Sequence, residues 1–326
     1  MRVSPYAVGA VGGYVVDLVV GDPAGPGHPV AVFGRAAAAV ERRLWRDRRD
    51  AGALYAALCV GGAVGATGLA AKAAAPGRQL RRRQPRPRAV APAALAAGVT
   101  WSVLGGASLR REALRIADAL AADDIARARE LLPRLCGRDP QALSAQEIAR
   151  AVVESVAENT SDAVVGALVW GAVAGVPGLA GFRAVNTLDA MVGHRSPRYA
   201  RFGWAAARLD DVVGWPGSRL TALLAVAAGA DPRGARRAWR RDGGAHPSPN
   251  AGPVEAAFAG ALGVRLGGPL AYGGRAEARP VLNHGGRAVD VCDIGRAVAL
   301  SRRVCHLALV ATVAAHTLLH HRKVPR

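Results

Sequence analysis

The most informative stretch of the sequence reads E-S-V-A-E-N-T-S-D at 154–162, then an apolar run at 163–176, then A-V-N-T-L-D-A-M-V-G-H-R-S-P-R-Y at 184–199. Acidic, amide, histidine and arginine side chains therefore stand on both sides of a segment apolar enough to enter a membrane. Such groups are costly beside hydrocarbon and are kept there mainly when they bind or react with something. We therefore predict that the functional core lies within residues 154–217.

The composition favours residence in a membrane. The chain has 326 residues, of which 51% are hydrophobic, and its mean hydropathy is +0.15. The net charge of +19 resembles that of a nucleic-acid binder, yet Lys72 and Lys323 are the only lysines, so the charge reflects a general arginine bias. The basic runs also lack the interleaved aromatic residues that single-strand binders use. We predict no nucleic-acid partner, and no zinc site or disulfide framework, because the four cysteines show no C-x-x-C spacing.

Three apolar runs occupy the first third of the chain, at 3–20, 51–75 and 89–107. The first is long enough to cross a bilayer as a helix. Arginine-rich segments flank the second run on both sides, and a spanning helix there would place positive charge on both faces of the membrane. One of these early runs is therefore re-entrant or interfacial, or two of them pair as a hairpin. The sequence leaves these alternatives open.

The rest of the chain also reads as helical. Residues 110–150 form a predicted water-facing excursion with a helix over 110–132, and Ser144 with Glu147 makes an S-x-x-E capping box that starts another helix near Ala145. The apolar run 163–176 is short and stops at Pro177, which is typical of a buried or re-entrant helix. Residues 267–286 read as a Gly/Pro-rich loop. We predict an all-α, polytopic integral membrane protein with transmembrane or re-entrant helices, forming a single domain over 1–326.

Three carboxylates form the first candidate site. Glu154, Glu158 and Asp162 are spaced i, i+4 and i+8, so a continuous helix would place them on one face. They repel one another unless a cation neutralises them, and oxygen ligands favour Mg²⁺ over zinc. A solvated helix end, with Asn159 in the break that follows, is the structural alternative.

Further polar residues follow the apolar run. Asn186 and Asp189 lie three apart on a predicted helix and can converge. Arg195 and Arg198 occupy a turn suited to bidentate contacts with phosphate or carboxylate, although a basic loop beside lipid headgroups gives the same pattern.

Three loops supply the remaining candidates. His246, Ser248 and Asn250 precede a helix whose free N–H groups would bind an anion, and Asn250 acting only as an N-cap is the alternative. Asp22 and His28 lie in a Pro/Gly-rich turn, which an Asx-turn and a solvated histidine would equally explain. Tyr272 precedes two glycines that would let the backbone approach a ligand, or that form a simple turn.

Several motifs together resemble the CobD/CbiB family of cobalamin biosynthesis, the adenosylcobinamide-phosphate synthases. They are G-D-P and H-P-V near the start, G-R-D at 137–139, the two motifs at 154–162 and 184–199, F-G-W-A-A-A-R-L-D-D, H-P-S-P-N-A-G-P-V-E-A-A and Y-G-G. The resemblance runs from about Asp17 to Gly274. Pro140 departs from it, because a threonine is expected after G-R-D.

The resemblance implies a multi-pass enzyme of the cell membrane with its active site facing the cytoplasm. It joins (R)-1-aminopropan-2-ol, as its O-phosphate or free, to adenosylcobyric acid, with ATP and Mg²⁺ as the implied cofactors and the corrinoid as a substrate. In this interpretation Glu154, Glu158 and Asp189 are catalytic, and Glu154, Glu158 and Asp162 are the magnesium ligands. Substrate and phosphate would be bound by Asp22, His28, Asn159, Asn186, Arg195, Arg198, His246, Ser248, Asn250 and Tyr272. Homo-oligomerisation or a complex with other late cobalamin-pathway enzymes is left open, as is a transporter or corrinoid-binding protein without catalysis.

Overall fold

The computed structural model describes residues 4–22, 25, 27–75, 89–137, 139–141, 143–194, 196–272 and 275–321. Two compact units share the chain. Unit 1 comprises Met1–Gly105, Gly166–Gly214 and Leu309–Arg326, and unit 2 comprises Gly106–Val165 and Trp215–Ala308.

Helices dominate the described residues. In chain order they are α1 (Pro5–Val20), α2 (Pro29–Leu44), α3 (Arg49–Ala74), α4 (Val90–Val103), α5 (Gly106–Ala121), α6 (Ile125–Leu131), α7 (Ala145–Thr160), α8 (Gly166–Leu188), α9 (Trp204–Ala228), α10 (Pro232–Asp242), α11 (Ala251–Leu262) and α12 (Cys292–His321). π-Helical turns follow α7 at Ser161–Val165 and α8 at Asp189–Gly193. The predicted all-α class is confirmed.

Four helical segments among the described residues are long and apolar enough to cross a membrane, namely Arg49–Ala74, Val90–Ala121, Ala145–Gly193 and Cys292–His320. Helix α1 is shorter than the predicted run at 3–20. Its 16 residues extend about 24 Å, less than the roughly 30 Å of a bilayer core. These lengths are consistent with a polytopic membrane protein. Helix α1 alone is too short to cross the bilayer core, so its position in the membrane depends on packing against neighbouring helices.

Glycines allow α1 to lie directly on α4 within unit 1. A Cβ on Gly9 would collide with the backbone of Ala93, and a Cβ on Gly13 would collide with the backbone of Ala97. Small residues four apart let membrane helices approach closely, and van der Waals packing then holds them together.

We expect Gly13→Ala to lower the stability of the protein by about 1–3 kcal/mol, because the new methyl group must push α4 away. The measurement is thermal unfolding in detergent. The matched control is Gly12→Ala, one position along the same helix, where an added Cβ meets only Ala97 Cβ at an ordinary 3.8 Å. Equal melting temperatures for the two variants would contradict this packing.

The short apolar run 163–176, predicted to be a buried or re-entrant helix, supplies the first leg of a helical hairpin within α8. The chain reverses at Gly175, whose φ of 65° and ψ of −146° are open to glycine almost alone. On the two sides of this point, Gly171 packs against Leu179 and Gly166 packs against the ring of Phe182. Residues sixteen apart on a straight helix would be about 24 Å apart, so these contacts require the two legs to be antiparallel. The reversal occurs at Gly175, and Pro177 begins the returning leg, where its missing N–H costs little.

In unit 2, the capping box predicted at the start of α7 is confirmed. Ser144 Oγ accepts the N–H of Glu147, and Glu147 Oε2 accepts the N–H of Ser144 at 2.9 Å. The helix predicted over 110–132 is instead two helices. Asp123 between them has a positive φ of 59°, and the Asp124 side chain caps α6 by accepting the N–H of Arg127 at 2.9 Å. That 110–150 faces water stays a prediction.

The segment 267–286 is not the loop that its glycines and prolines predict. Strands β1 (Leu266–Tyr272) and β2 (Arg275–Leu282) pair antiparallel, with a bulge between Leu266 and Gly268. Gly267 and Gly268 have φ of 79° and 91°, so these glycines supply the backbone of the bulge. Main-chain hydrogen bonds form this hairpin. Its sequence lacks the alternating apolar pattern from which a strand is predicted.

Candidate functional site

The predicted site residues are divided between the two units. Unit 2 contains Glu154, Glu158, Asn159, Asp162, His246, Ser248, Asn250 and Tyr272, and unit 1 contains Asp22, His28, Asn186, Asp189 and Arg198. Arg195 lies outside the described residues, and so does the side chain of Tyr272, whose backbone belongs to β1.

Glu154 joins α7 to the β-hairpin in unit 2. The residue is 3% exposed, and its Oε1 accepts the N–H of Gly267 at 2.7 Å. Arg150, one turn earlier on α7, has Nε 4.0 Å from Glu154 Oε1 and donates from Nη2 to the Pro269 carbonyl at 2.8 Å. A buried carboxylate is tolerated when hydrogen bonds and an opposite charge compensate its lost hydration. Glu154 therefore positions β1 and Arg150.

Glu158, Asn159 and Asp162 lie at the other end of α7. Glu158 and Asp162 are half-buried, and Asp162 falls in the π-helical turn Ser161–Val165, outside the regular α-helix that the i+8 spacing assumed. Asn159 Nδ2 donates to the Ser155 carbonyl at 2.9 Å, which closes the last turn of α7. Single π-turns inside helices are frequent at functional sites.

The carboxylates do not fit the predicted magnesium site in this conformation. Among the described residues, no group of three or more His, Cys, Asp or Glu side chains is placed to hold a metal ion. Glu154 Oε1 is already bound to the Gly267 N–H. Magnesium binding by Glu154, Glu158 and Asp162 stays a prediction.

His246 belongs to a second buried polar group in unit 2. Its residue is 9% exposed, Arg279 Nη1 lies 3.2 Å from its Nε2, and Glu255 Oε1 lies 3.9 Å from the same nitrogen. The Ser248 N–H lies 3.0 Å from Nδ1 and the Ser248 carbonyl lies 3.3 Å from the same atom. Each ring nitrogen either donates or accepts, so the tautomer of His246 sets its hydrogen-bond roles toward Arg279 and Ser248.

The residues after His246 organise the start of α11. Ser248 Oγ accepts the N–H groups of Asn250 at 3.3 Å and Ala251 at 3.1 Å. Ser248 is therefore the side chain that caps α11, whereas Asn250, considered as the N-cap from sequence, makes no capping hydrogen bond. These contacts occupy two of the N–H groups predicted to bind an anion.

Arg219, on α9, fixes the loop that precedes α11. Its Nη1 donates to Asn250 Oδ1 at 3.1 Å and to the Pro249 carbonyl at 2.8 Å, and its guanidinium stacks over the Trp215 ring at 4.8 Å. Burial lowers the pKa of Arg219 from its usual value, and the residue stays cationic because an arginine pKa is so high. Asn250 is thus fixed in place by a cation.

In unit 1, His28 and Asp22 stand before α2. His28 Nδ1 accepts the N–H of Val30 at 3.1 Å, so this ring caps α2. Asp22 Oδ1 is buried and has no hydrogen-bond partner among the described residues. Asp22 is therefore the residue of this pair that retains an acceptor for a ligand.

Arg198 is committed to neighbours within unit 1. Its Nη2 donates to Glu41 Oε1 at 3.1 Å, the Tyr199 hydroxyl donates to the same oxygen at 2.9 Å, and the guanidinium lies 4.8 Å from the Trp45 ring. Hydrogen bonds with Tyr199 and Glu41 raise the pKa of Arg198. These contacts attach the turn after α8 to α2 and compete with any phosphate.

Asn186 and Asp189 are both half-buried at the end of α8 and the start of its π-turn. The Asp189 carboxylate lies where a Cβ of Gly193 would be, so the turn closes over this side chain. The predicted convergence of Asn186 with Asp189 stays a prediction.

Sequence reasoning missed Arg150, Arg219, Glu255 and Arg279. Arg150 carried a signal, because R-x-x-x-E places it one helical turn before Glu154. Arg279 carried none, since it lies on a strand concealed in a Gly/Pro-rich segment.

Comparison with known proteins agrees with these motifs. The family model described as CobD/Cbib protein matches residues 10–301. The cobalamin biosynthesis protein CobD of Mycobacterium tuberculosis (strain ATCC 25618 / H37Rv) is 53% identical over 323 residues, covering 98% of this chain and 97% of that protein. The protein of the same name from Rhizobium meliloti (strain 1021) is 42% identical over 313 residues, covering 92% and 94%. No solved structure matches. The chain belongs to the CobD/CbiB family of cobalamin biosynthesis.

Proposed function

We propose that this protein is an adenosylcobinamide-phosphate synthase. It would join (R)-1-aminopropan-2-ol O-phosphate, or free aminopropanol, to adenosylcobyric acid through an amide bond, with ATP as the energy source. The family match over residues 10–301 carries this proposal. The two buried polar groups of unit 2 support it, because burial of Glu154 and His246 beside arginines is costly and typical of a site.

The reaction needs activation of the acid. A carboxylate and an ammonium do not condense readily at neutral pH, so the corrinoid carboxylate first attacks the γ-phosphorus of ATP and releases ADP. The amine then attacks the acyl carbon, the amide bond forms, and phosphate leaves with the former carboxylate oxygen. A base must take a proton from the ammonium before this attack.

Roles in this reaction are assigned to residues of the chain as follows. The half-buried Glu158, and Asp189 with Asn186, keep the roles in binding or catalysis given by their motifs. His246 keeps the substrate-binding role given by its motif, and Arg279 Nη1 lies 3.2 Å from its Nε2. Glu154 is a positioning residue, since it holds the Gly267 N–H.

Magnesium enters the proposal with ATP. Mg²⁺ is commonly bound by one or two carboxylates together with substrate phosphates, rather than by a cage made only of protein. It would neutralise charge on the transferring phosphate. Either Glu158 or Asp162 would supply the carboxylate oxygen that Mg²⁺ requires. Such a site does not need all three carboxylates of the predicted cluster.

We propose that unit 2 faces the cytoplasm. Helix α10 buries Gly234, Ala235 and Ala238 and exposes an arginine-rich face. Short loops rich in arginine remain on the cytoplasmic side of the membrane, where ATP is also available.

The test is incubation of detergent-purified protein with adenosylcobyric acid, aminopropanol phosphate, ATP and Mg²⁺, followed by mass spectrometry. We expect ATP-dependent formation of adenosylcobinamide phosphate. Bound but unchanged corrinoid would instead indicate a binding protein or transporter, and would reject the synthase.

A further inference from the structure

A pocket of about 220 Å³ lies in unit 2, beside the first turns of α7. The α7 residues Glu147 and Arg150 line it on one side, and Arg265, Gly267 and Gly268 line it from the bulged end of the hairpin. Sequence reasoning assigned none of these residues to a site.

Two guanidinium groups give the pocket its charge. Arg150 is 18% exposed at its side chain and is held in place by the Pro269 carbonyl and by Glu154. Arg265 is exposed, and its side chain makes no hydrogen bond or ion pair with the described part of the chain. One arginine is therefore preorganised and the other is available, and guanidinium groups match the geometry of phosphate oxygens.

A carboxylate and an open backbone complete the pocket. Glu147 uses Oε2 for the capping box, receiving bonds from Ser144 N at 2.9 Å and Ser144 Oγ at 2.8 Å, and its Oε1 makes none with the described residues. At Gly268, with φ of 91°, an added Cβ would stand 3.4 Å from Arg150 Nη1. Glycine thus keeps the space in front of Arg150 clear.

We propose that this pocket binds a small aminoalkyl phosphate, with Arg150 and Arg265 on the phosphate and Glu147 Oε1 on the ammonium. The inference rests on the proposed function and names the subsite for its amine substrate. The volume is below the roughly 300 Å³ at which pockets begin to hold drug-sized ligands. It is therefore too small to enclose a whole ATP or corrinoid molecule, whereas (R)-1-aminopropan-2-ol O-phosphate carries both charges that the pocket complements.

The test uses Arg265→Ala in the full-length protein, because this exposed side chain supports no described contact. We expect KM for aminopropanol phosphate to rise about 10- to 100-fold, the effect of losing a charge-assisted hydrogen bond. KM for ATP and for unphosphorylated aminopropanol should not change. The matched control is Arg236→Ala, an exposed arginine on α10, which should leave all three values unchanged.

Any other result overturns the assignment of this pocket to the aminoalkyl phosphate. A higher KM for ATP would give the pocket to the nucleotide phosphates, and equal rises for both amines would remove the phosphate contact. If the wild-type protein forms no amide, the proposed function fails. Calorimetric titration with aminopropanol phosphate then tests, independently of catalysis, whether the pocket binds this ligand. Binding that Arg265→Ala weakens supports the subsite, and no binding by the wild-type protein rejects it.

Discussion

Glu158→Gln is expected to lower the rate of amide formation by about 10²- to 10⁴-fold while the protein still folds and inserts. The substitution preserves the size of the side chain but removes its negative charge and its ability to accept a proton, and a catalytic carboxylate contributes a factor of this order. The measurement is single-turnover formation of adenosylcobinamide phosphate by purified protein. Helicity and melting temperature, measured on the same sample, establish that the variant is folded.

The matched control for this experiment is Glu130→Gln. Glu130 is also a glutamate of unit 2, and its side chain is 67% exposed in a surface pair with Arg127. Surface ion pairs contribute little to stability, so this variant should retain full activity. Near-normal turnover by Glu158→Gln would remove Glu158 from the chemistry.

Glu154→Ala is expected to destabilise unit 2 by about 3–5 kcal/mol, because it leaves the half-buried Arg150 without its counter-charge and the buried Gly267 N–H without an acceptor. Glu154→Gln keeps an oxygen for Gly267 and should lose less, about 1–3 kcal/mol. Thermal unfolding in detergent measures both losses, and hydrogen exchange at the Gly267 amide reports on the hairpin itself.

The pair of variants separates two roles of Glu154. A positioning residue predicts that activity and hairpin protection fall together in Glu154→Ala and recover together in Glu154→Gln. A catalytic carboxylate predicts that Glu154→Gln is stable and inactive, which would contradict the geometry described above. Unchanged exchange at Gly267 in Glu154→Ala would show that the hairpin does not depend on this contact.

Much of the fold followed from hydropathy and from local chain chemistry. The Ser144–Glu147 capping box and the reversal near Pro177 were predicted because caps, prolines and short apolar runs act within a few residues. The hairpin over 266–282 was missed because its glycines and prolines resemble those of a loop, and long-range contacts of Gly267 with Glu154 and of Arg279 with His246 determine its place. The break at Asp123 was missed for a similar reason, since a single left-handed residue leaves no periodic signal.

The site was predicted less completely than the fold. The motifs identified the family, because that identification depends only on residue identity. They did not reveal which side chains distant in sequence contact the site residues. Ser248 replaces Asn250 as the cap of α11, and Arg219 holds Asn250, because the loop folds back on α9. Arg198 is bound to Glu41, which lies 157 positions away, and no local pattern predicts such a pair.

The central claim is that this protein joins an activated corrinoid acid to an amine. Its most direct test uses adenosylcobyric acid labelled with oxygen-18 in the reacting carboxylate, together with aminopropanol phosphate, ATP and Mg²⁺. We expect adenosylcobinamide phosphate, one ADP for each amide, and one labelled oxygen in the released phosphate. Amide formation without label in the phosphate would contradict the acyl phosphate, and labelled corrinoid recovered unchanged would contradict the claim itself.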